Sequence, residues 1–277
     1  MRRWALPCSK RNVLSSLPLP VYTRIQTALT QLETTHGVRI LYACEAGSRA
    51  WGFPSPGSDY DVRFVYVHPP EWYLTLDEGP DTLSFPIDEK LDLAGWELRK
   101  ALKLLRGSNA VLYEWLQSPV VYQEVPGFRA AVAPLLESCW NPRAGLHHYL
   151  GLVRRGVEED LVGVDGRLKR LFYTLRSTLA ARWIQQQPGV APPMAFQQLR
   201  EVLPAAFNEV VDELLAVKAT ADEKMTVPLP AVLVAFLQEE YTAAVLTRST
   251  LPMQRLPDPT PVLNKLFQAW LWPQAAL

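Results

Sequence analysis

Apolar and polar positions follow two different periods along this chain of 277 residues. Over residues 21–36 apolar side chains recur every three or four positions, and Gly37 follows them. This spacing predicts an amphipathic helix that ends at the glycine. Residues 38–44 and 62–67 are instead short, nearly continuous apolar runs, which are typical of buried strands.

The next stretch mixes both periods. A third strand is predicted within residues 82–93, where Pro86 marks an edge or a break because proline cannot donate to a strand ladder. Ser108 or Asn109 is suited to cap a helix that runs through Gln117. Two further helical segments are predicted here, at residues 72–76 and 95–106.

Beyond Pro119 the helical period predominates. Helices are predicted at residues 126–139, 142–160, 165–187, 204–217, 230–247 and 261–270. The whole pattern predicts an α+β fold: a small mixed β-sheet flanked by helices in residues 1–122, followed by an all-α helical bundle in residues 123–277. A cleft between these two parts is the expected place for a site.

Charge and cysteine content exclude some functions. The 28 basic and 28 acidic residues balance, which argues against a protein that coats nucleic acid but permits a local basic groove. Cys8, Cys44 and Cys139 are scattered without metal-ligand spacing, so reduced thiols in the cytoplasm are expected. No apolar run approaches the roughly 20 residues that span a bilayer, and residues 1–10 lack the apolar segment of a secretory signal.

The residues most suggestive of chemistry lie between the first two strands. Gly47 and Ser48 follow the first strand, and Asp59 and Asp61 stand at the head of the second. Alternate residues of a strand share a face, so the two carboxylates are expected to lie close together and to need a cation between them. The backbone N–H groups of a Gly-Ser turn suit phosphate oxygens. Together these features predict nucleotide chemistry with Mg²⁺ or Mn²⁺.

The string GSRAWGFPSPGSDYDVR, residues 47–63, resembles the signature of the DNA polymerase β nucleotidyltransferase superfamily. With segments 91–100 and 109–116 it is similar to the RlaP branch, which is named for its association with RNA ligases. Matches at 147–149 and 169–176 extend the resemblance over most of residues 38–185. The resemblance implies an enzyme that uses two divalent ions, held by two carboxylates on one strand and a third on a neighbouring strand.

Asp92 is the preferred third carboxylate, because Leu91 and Leu93 beside it give the alternation of a strand. Asp88 lies four residues earlier, so it would share the same face of a strand, and it stays open as the alternative third carboxylate. Asp92 also has a structural interpretation, as the N-cap of the helix predicted from residue 95. Asp59, Asp61 and Asp92 are therefore the predicted catalytic and metal-binding residues.

The resemblance also implies a set of nucleotide-binding residues. Gly47 and Ser48 would hold the β- and γ-phosphates, Arg49 would add a charged fork, and Ser58 belongs to the same set. A surface salt bridge is the alternative for Arg49. Arg63 shares the strand face of Asp61 and is expected to support the carboxylates or to reach substrate.

In the second half, Lys169, Tyr173 and Arg176 share one helix face by their spacing. The resemblance implies that this face contacts the triphosphate. The alternative is a solvated polar face whose opposite side packs in the core. Glu97 and Glu114 are expected on helix surfaces or in supporting pairs.

These residues predict transfer of a nucleoside monophosphate from an NTP to an acceptor hydroxyl, with release of pyrophosphate. An RNA or tRNA 3′ end is the expected acceptor, and a small molecule or a protein side chain is the alternative. A non-catalytic nucleotide-binding module on the same fold is the other alternative. No membrane partner is expected, and neither the NTP base nor the oligomeric state follows from the sequence.

Overall fold

The computed structural model describes residues 17–251 and 257–271. Its main sheet has five strands in the order β3-β4-β2-β1-β5, in which β2 and β4 run parallel and the other neighbours run antiparallel. The strands are β1 (Arg39–Glu45), β2 (Tyr60–Val67), β3 (Thr82–Ser84), β4 (Leu91–Glu97) and β5 (Val121–Glu124). A separate two-stranded ribbon joins β6 (Asp165–Arg167) to β7 (Thr226–Pro228).

Helices surround the main sheet and make up most of the second half. Those of the first half are α1 (Leu19–His36), α2 (Gly47–Trp51), α3 (Leu98–Arg106) and α4 (Ala110–Gln117). Those of the second half are α5 (Phe128–Cys139), α6 (Pro142–Arg155), α7 (Leu168–Gln186), α8 (Phe196–Leu199), α9 (Asn208–Thr220), α10 (Ala231–Thr247) and α11 (Thr260–Leu271). The mixed sheet followed by helices confirms the predicted fold class.

Local sequence explains several helix ends. Gly37 ends α1 in a left-handed conformation with φ +60°, where glycine carries no Cβ penalty. The Asn109 side chain accepts a hydrogen bond from the backbone N–H of Leu112 and caps α4, so Asn109 rather than Ser108 is the cap.

The region of residues 82–106 differs from its prediction. The single predicted strand is two antiparallel strands, β3 and β4, separated by a turn in which Glu89 and Lys90 have positive φ. Since β4 continues to Glu97, the helix begins at Leu98 and not at residue 95. Glu97 is its N-cap, so the N-cap interpretation of Asp92, which lies inside β4, was wrong.

The second half also holds departures from the helical pattern. Residues 165–167 form β6 instead of the first turn of a helix, because they pair with β7. The helix predicted over 142–160 is regular only to Arg155 and continues as a π-helical turn, Gly156–Asp160. A Cβ on Gly156 would lie 2.0 Å from Oγ1 of Thr174, so the glycine permits close contact with α7.

Two apolar cores lie on the two faces of the sheet. One packs α1 on one face, and the other is continuous from the opposite face through α3–α7 to α11. The predicted domain boundary at 122/123 falls within β5, and the division into two domains stays a prediction. Cys44 and Cys139 are buried and unbridged, and Cys8 lies outside the described residues. Within the described ranges, no helix combines the length and apolar character needed to cross a bilayer.

Candidate active site

Acidic side chains from two neighbouring strands meet at one end of the parallel pair. Asp61 in β2 is the direct register partner of Asp92 in β4, so their side chains share one face of the sheet. Asp59 lies just before β2, and its carboxylate acts electrostatically on Asp61. Asp88 is elsewhere, because it is exposed and forms a 2.7 Å ion pair with Arg24 of α1. The structure therefore brings Asp61 and Asp92 together, with Asp59 near enough to act electrostatically on Asp61, and leaves Asp88 out.

Arg63 joins the two facing carboxylates. Its Nη2 lies 3.2 Å from Oδ1 of Asp61 and 2.6 Å from Oδ2 of Asp92. Its Nη1 donates to the backbone carbonyls of Val62 and Asp92, at 3.1 and 3.0 Å. Four contacts thus fix the guanidinium between the two strands, as the shared strand face of Asp61 and Arg63 predicted in general terms.

The electrostatics of Asp61 suit a cation. Burial raises the pKa of the Asp61 carboxyl, Arg63 opposes that rise, and the carboxylates of Asp92 and Asp59 add to it. The two added carboxylates repel the charged form of Asp61, and a bound cation would relieve that repulsion. Lys169, from the helical half, also lowers the pKa of Asp61.

The predicted Gly-Ser turn is a short helix, α2, whose first residue is Gly47. Gly47 has φ +61°, and a Cβ built on it would lie 2.0 Å from Oδ2 of Asp61. The absence of a side chain therefore lets the Asp61 carboxylate lie directly against this turn. As the first residues of a helix, Gly47 and Ser48 have N–H groups with no partner inside the helix.

The serine hydroxyls of this region form a chain. Oγ of Ser48 lies 3.2 Å from Oγ of Ser58, and Oγ of Ser58 donates to Glu223 at 2.8 Å. Oγ of Ser58 also accepts from the backbone N–H of Ser55 at 3.0 Å. Ser48 and Ser58 are both almost fully buried, so the network closes the turn against the helical half.

Arg49 is turned toward the backbone of the loop that precedes β2. Its Nη2 donates to the carbonyl of Ser58 at 2.7 Å and its Nε to the carbonyl of Asp59 at 3.0 Å. Its guanidinium lies 4.0 Å above the ring of Tyr60. In this structure Arg49 holds the loop that carries Asp59 and forms no salt bridge among the described residues, and its contact with phosphate stays a prediction.

Lys169 and Tyr173 of α7 adjoin the acidic cluster. Nζ of Lys169 forms a 2.7 Å ion pair with Glu223. Tyr173 packs edge-to-face on Trp51 of α2, at 5.0 Å between ring centroids. Burial raises the pKa of Tyr173, and the Asp61 carboxylate is the next cause. Both residues are therefore brought to the site from the helical half.

Arg176 is not brought to this site. It is 3% exposed and lies in the core, where Nη2 forms a 3.0 Å ion pair with Oε1 of Glu114. It also donates to the carbonyl of Met194 at 3.1 Å, and its guanidinium lies 4.3 Å over the ring of Trp51. Tyr149 donates to the same Glu114 carboxylate at 2.8 Å. Arg176 lies about two helical turns beyond Lys169, where this face of α7 enters the core, so Arg176 and Glu114 form a core pair.

Sequence reasoning missed Glu45 at the end of β1. Its Oε1 accepts from the backbone N–H of Asp61 at 2.9 Å, and Oε2 accepts from the hydroxyl of Tyr122. Burial raises the pKa of Glu45 to about 7, against the effect of both hydrogen bonds. An acidic residue at the end of a buried strand, directly before the Gly-Ser turn, was the signal available in the sequence.

Lys218 and Glu223 were also missed. Lys218 is 2% exposed, donates from Nζ to Oγ of Ser55 at 2.8 Å, and has a pKa lowered by burial. Its spacing of seven from the buried Val211 placed it on the apolar face of a helix. Glu223 follows α9, and no local pattern indicates its contact with Ser58 and Lys169.

The donor set fits a divalent ion in part. Within residues 17–251 and 257–271, no group of three acidic, histidine or cysteine side chains converges closely enough to hold an ion alone. The reason is visible at Asp61 and Asp92, whose facing oxygens are taken by Arg63. Asp59 and Oδ2 of Asp61 keep the hard oxygen chemistry that Mg²⁺ and Mn²⁺ prefer.

Comparison with known proteins identifies the family of this chain. The family model described as "RNA repair pathway DNA polymerase beta family", RlaP, matches residues 21–269. The chain is also 38% identical over 246 residues to "Uncharacterized protein YcgL" of Bacillus subtilis (strain 168), which covers 88% of this chain and 94% of that protein. With a match that spans the sheet, the acidic cluster and the helical half, this chain belongs to the RlaP family, the RNA repair pathway DNA polymerase beta family.

Proposed function

We propose that the chain is a metal-dependent nucleotidyltransferase, which transfers a nucleoside monophosphate from an NTP to an acceptor hydroxyl and releases pyrophosphate. The observation that carries this proposal is the register of Asp61 with Asp92, with Gly47 directly against the Asp61 carboxylate. Carboxylates beside a glycine turn that can approach phosphates are the parts that such a reaction needs. Membership of a polymerase-β-like family supports the same reaction.

Each residue group has a role in this proposal. Asp59 and Asp61 hold Mg²⁺ or Mn²⁺, which supplies charge for the triphosphate and the leaving pyrophosphate. Gly47 and Ser48 hold phosphate oxygens through their N–H groups, and Lys169 adds a cation from α7. Asp92 supports the cluster from β4. The two-ion arrangement comes from the resemblance and stays a prediction.

An RNA or tRNA 3′ end is the proposed acceptor, supported by the words "RNA repair pathway" in the family description. Several basic side chains of the helical half are paired with acids. Arg154, Arg155 and Arg170 have Glu158, Glu159 and Asp160 as partners, at 3.4, 3.8 and 3.7 Å. These paired charges are less available to a long phosphate track, so we propose contact with a short RNA end.

The direct test supplies each of the four ribonucleotides, labelled at the α-phosphate, with Mg²⁺ and total RNA. We expect label to enter RNA and pyrophosphate to appear in equal amount. RNA with blocked 3′ ends is the matched control and should stay unlabelled. Label that enters small molecules or the protein instead would move the acceptor to the alternatives, and nucleotide binding with no pyrophosphate at all would refute the enzyme.

Replacing Gly47 by alanine tests the close contact with Asp61. The new Cβ would overlap Oδ2 of Asp61, so we expect pyrophosphate release to fall about 100-fold, as a displacement of about 1 Å can do. Gly37→Ala is the matched control, because Gly37 has φ +60° and no atom within 4 Å of its built Cβ. Gly37→Ala has the same cost of placing an alanine at positive φ, but its Cβ overlaps no other atom. Equal activity of the two variants would contradict the assigned role of Gly47.

Replacing Glu223 by glutamine tests whether its carboxylate competes with the triphosphate. Glu223 holds Ser58 and Lys169 in this structure, and its negative charge would repel phosphate oxygens. We expect the KM for NTP to fall about tenfold, or about 1.4 kcal/mol, with little change in kcat. Glu209→Gln removes the same charge from an exposed position of α9 and should leave KM unchanged. A KM that stays constant or rises in Glu223→Gln would disprove the competition.

A further inference from the structure

Arg63 lies where a cation between Asp61 and Asp92 would have to lie. Its Nη2 contacts one oxygen of each carboxylate, at 3.2 and 2.6 Å. The other end of the guanidinium donates to two backbone carbonyls, at 3.1 and 3.0 Å. The side chain is only 19% exposed, so this position is built into the sheet and is not a loose surface contact.

We propose that Arg63 takes the place of one of the two divalent ions, so that the site binds a single ion at Asp59 and Asp61. This inference rests on the proposed function and narrows its metal requirement. In this proposal Asp92 forms an ion pair with Arg63 and does not bind the ion. Arg63 is a positioning residue, since it acts through the carboxylates that it holds.

The two carboxylate oxygens of Asp61 have different surroundings. Oδ1 is taken by Arg63, whereas Oδ2 lies against Gly47 at the start of α2. Among the described residues, no N–H or hydroxyl donates to Oδ2 of Asp61 or to the carboxylate of Asp59. Oδ2 of Asp61 is thus free of Arg63 and lies at the Gly-Ser turn, where an ion could meet a triphosphate.

Charge balance supports one ion. The cluster holds three carboxylates, of which Asp92 is neutralised by Arg63 through a 2.6 Å contact. The two that remain match the charge of one divalent cation. A second ion between Asp61 and Asp92 would face the fixed guanidinium at short range, and like charges at such distances repel strongly.

The ion count can be measured without turnover, by electron paramagnetic resonance of bound Mn²⁺. Mn²⁺ is added alone and then with each α,β-methylene ribonucleotide triphosphate in turn. Two ions about 3.5–4 Å apart give a spin-coupled spectrum, and one ion does not. We expect one uncoupled Mn²⁺ per chain in the wild type, and a second, coupled Mn²⁺ in Arg63→Ala.

Two further variants sharpen the result. Arg24→Ala is the matched control, because Arg24 also bridges two carboxylates, those of Asp88 and Glu89, and its loss should leave the count at one. Asp92→Asn should also keep one ion, whereas a two-ion site would lose one. Asp92→Asn holds one ion in either case, so the comparison with the wild type decides the question: an unchanged count supports one ion, and a fall from two to one contradicts it, even if Arg63→Ala does not fold.

A coupled pair in the wild type, or a count of one in a folded Arg63→Ala, would overturn the inference and leave the proposed function standing. No bound Mn²⁺ in any variant, with or without nucleotide, would remove the proposed function itself. The two failures are therefore distinguishable.

Discussion

Replacing Asp59 or Asp61 by alanine is expected to lower NTP-dependent pyrophosphate release by at least about 1,000-fold. Each change removes a carboxylate from the proposed ion site, and metal stabilisation of the transferring phosphoryl group contributes several kcal/mol. About 4 kcal/mol corresponds to that factor. The measurement is the initial rate of pyrophosphate release at saturating Mg²⁺ and NTP.

Asp88→Ala is the control for this experiment. Asp88 carries the same charge and lies four residues before Asp92, but its carboxylate is exposed and paired with Arg24. We expect its rate to stay within about twofold of the wild type, because surface substitutions away from a site have small effects. Thermal unfolding should show all three variants folded. A folded Asp61→Ala with the wild-type rate would disprove the proposed site.

Replacing Arg176 by methionine is expected to destabilise the protein by about 3–5 kcal/mol. The Arg176 and Glu114 side chains are only 4% and 11% exposed, so the change leaves a carboxylate buried without its cation. The pair also lies against Trp51 of α2, beside the candidate site. Urea unfolding, followed by circular dichroism, measures the change in the free energy of unfolding.

Arg170→Met is the matched control on the same helix. Arg170 is 45% exposed and its contact with Asp160 is 3.7 Å long. We therefore expect Arg170→Met to lower the free energy of unfolding by less than about 0.5 kcal/mol. The double variant Arg176→Met with Glu114→Gln removes the orphaned charge and should recover part of the loss. A cost below about 1 kcal/mol for Arg176→Met alone would show that this pair does not stabilise the fold.

Local patterns carried much of the prediction. The spacing of apolar residues correctly predicted α1 and the apolar part of β2, and Gly37 correctly predicted the end of α1. These features depend on residues that are neighbours in the chain. The spacing of Gly47–Ser48 and Asp59–Asp61 pointed to the candidate site, whose catalytic role stays a prediction. The resemblance to the RlaP family was confirmed by the family match.

Some residues fit the local sequence pattern equally well, and only the tertiary structure shows which of them lies at the site. Asp88 and Asp92 have the same parity, and only the turn at Glu89 and Lys90 and the pairing of β4 with β2 separate them. In the same way, helix spacing grouped Lys169 with Arg176. Which part of that face meets the site and which part enters the core depends on the elements packed around α7.

By itself, the sequence determined the family, the fold class and the location of the acidic cluster, because motif spacing and hydrophobic period are properties of contiguous residues. Only the tertiary structure decided that Arg63 bridges Asp61 and Asp92 and that Glu223 reaches Ser58 from 165 positions away. Contacts of that kind arise from strand register and helix packing. They join residues that are far apart in the sequence, so a short segment read by itself does not reveal them.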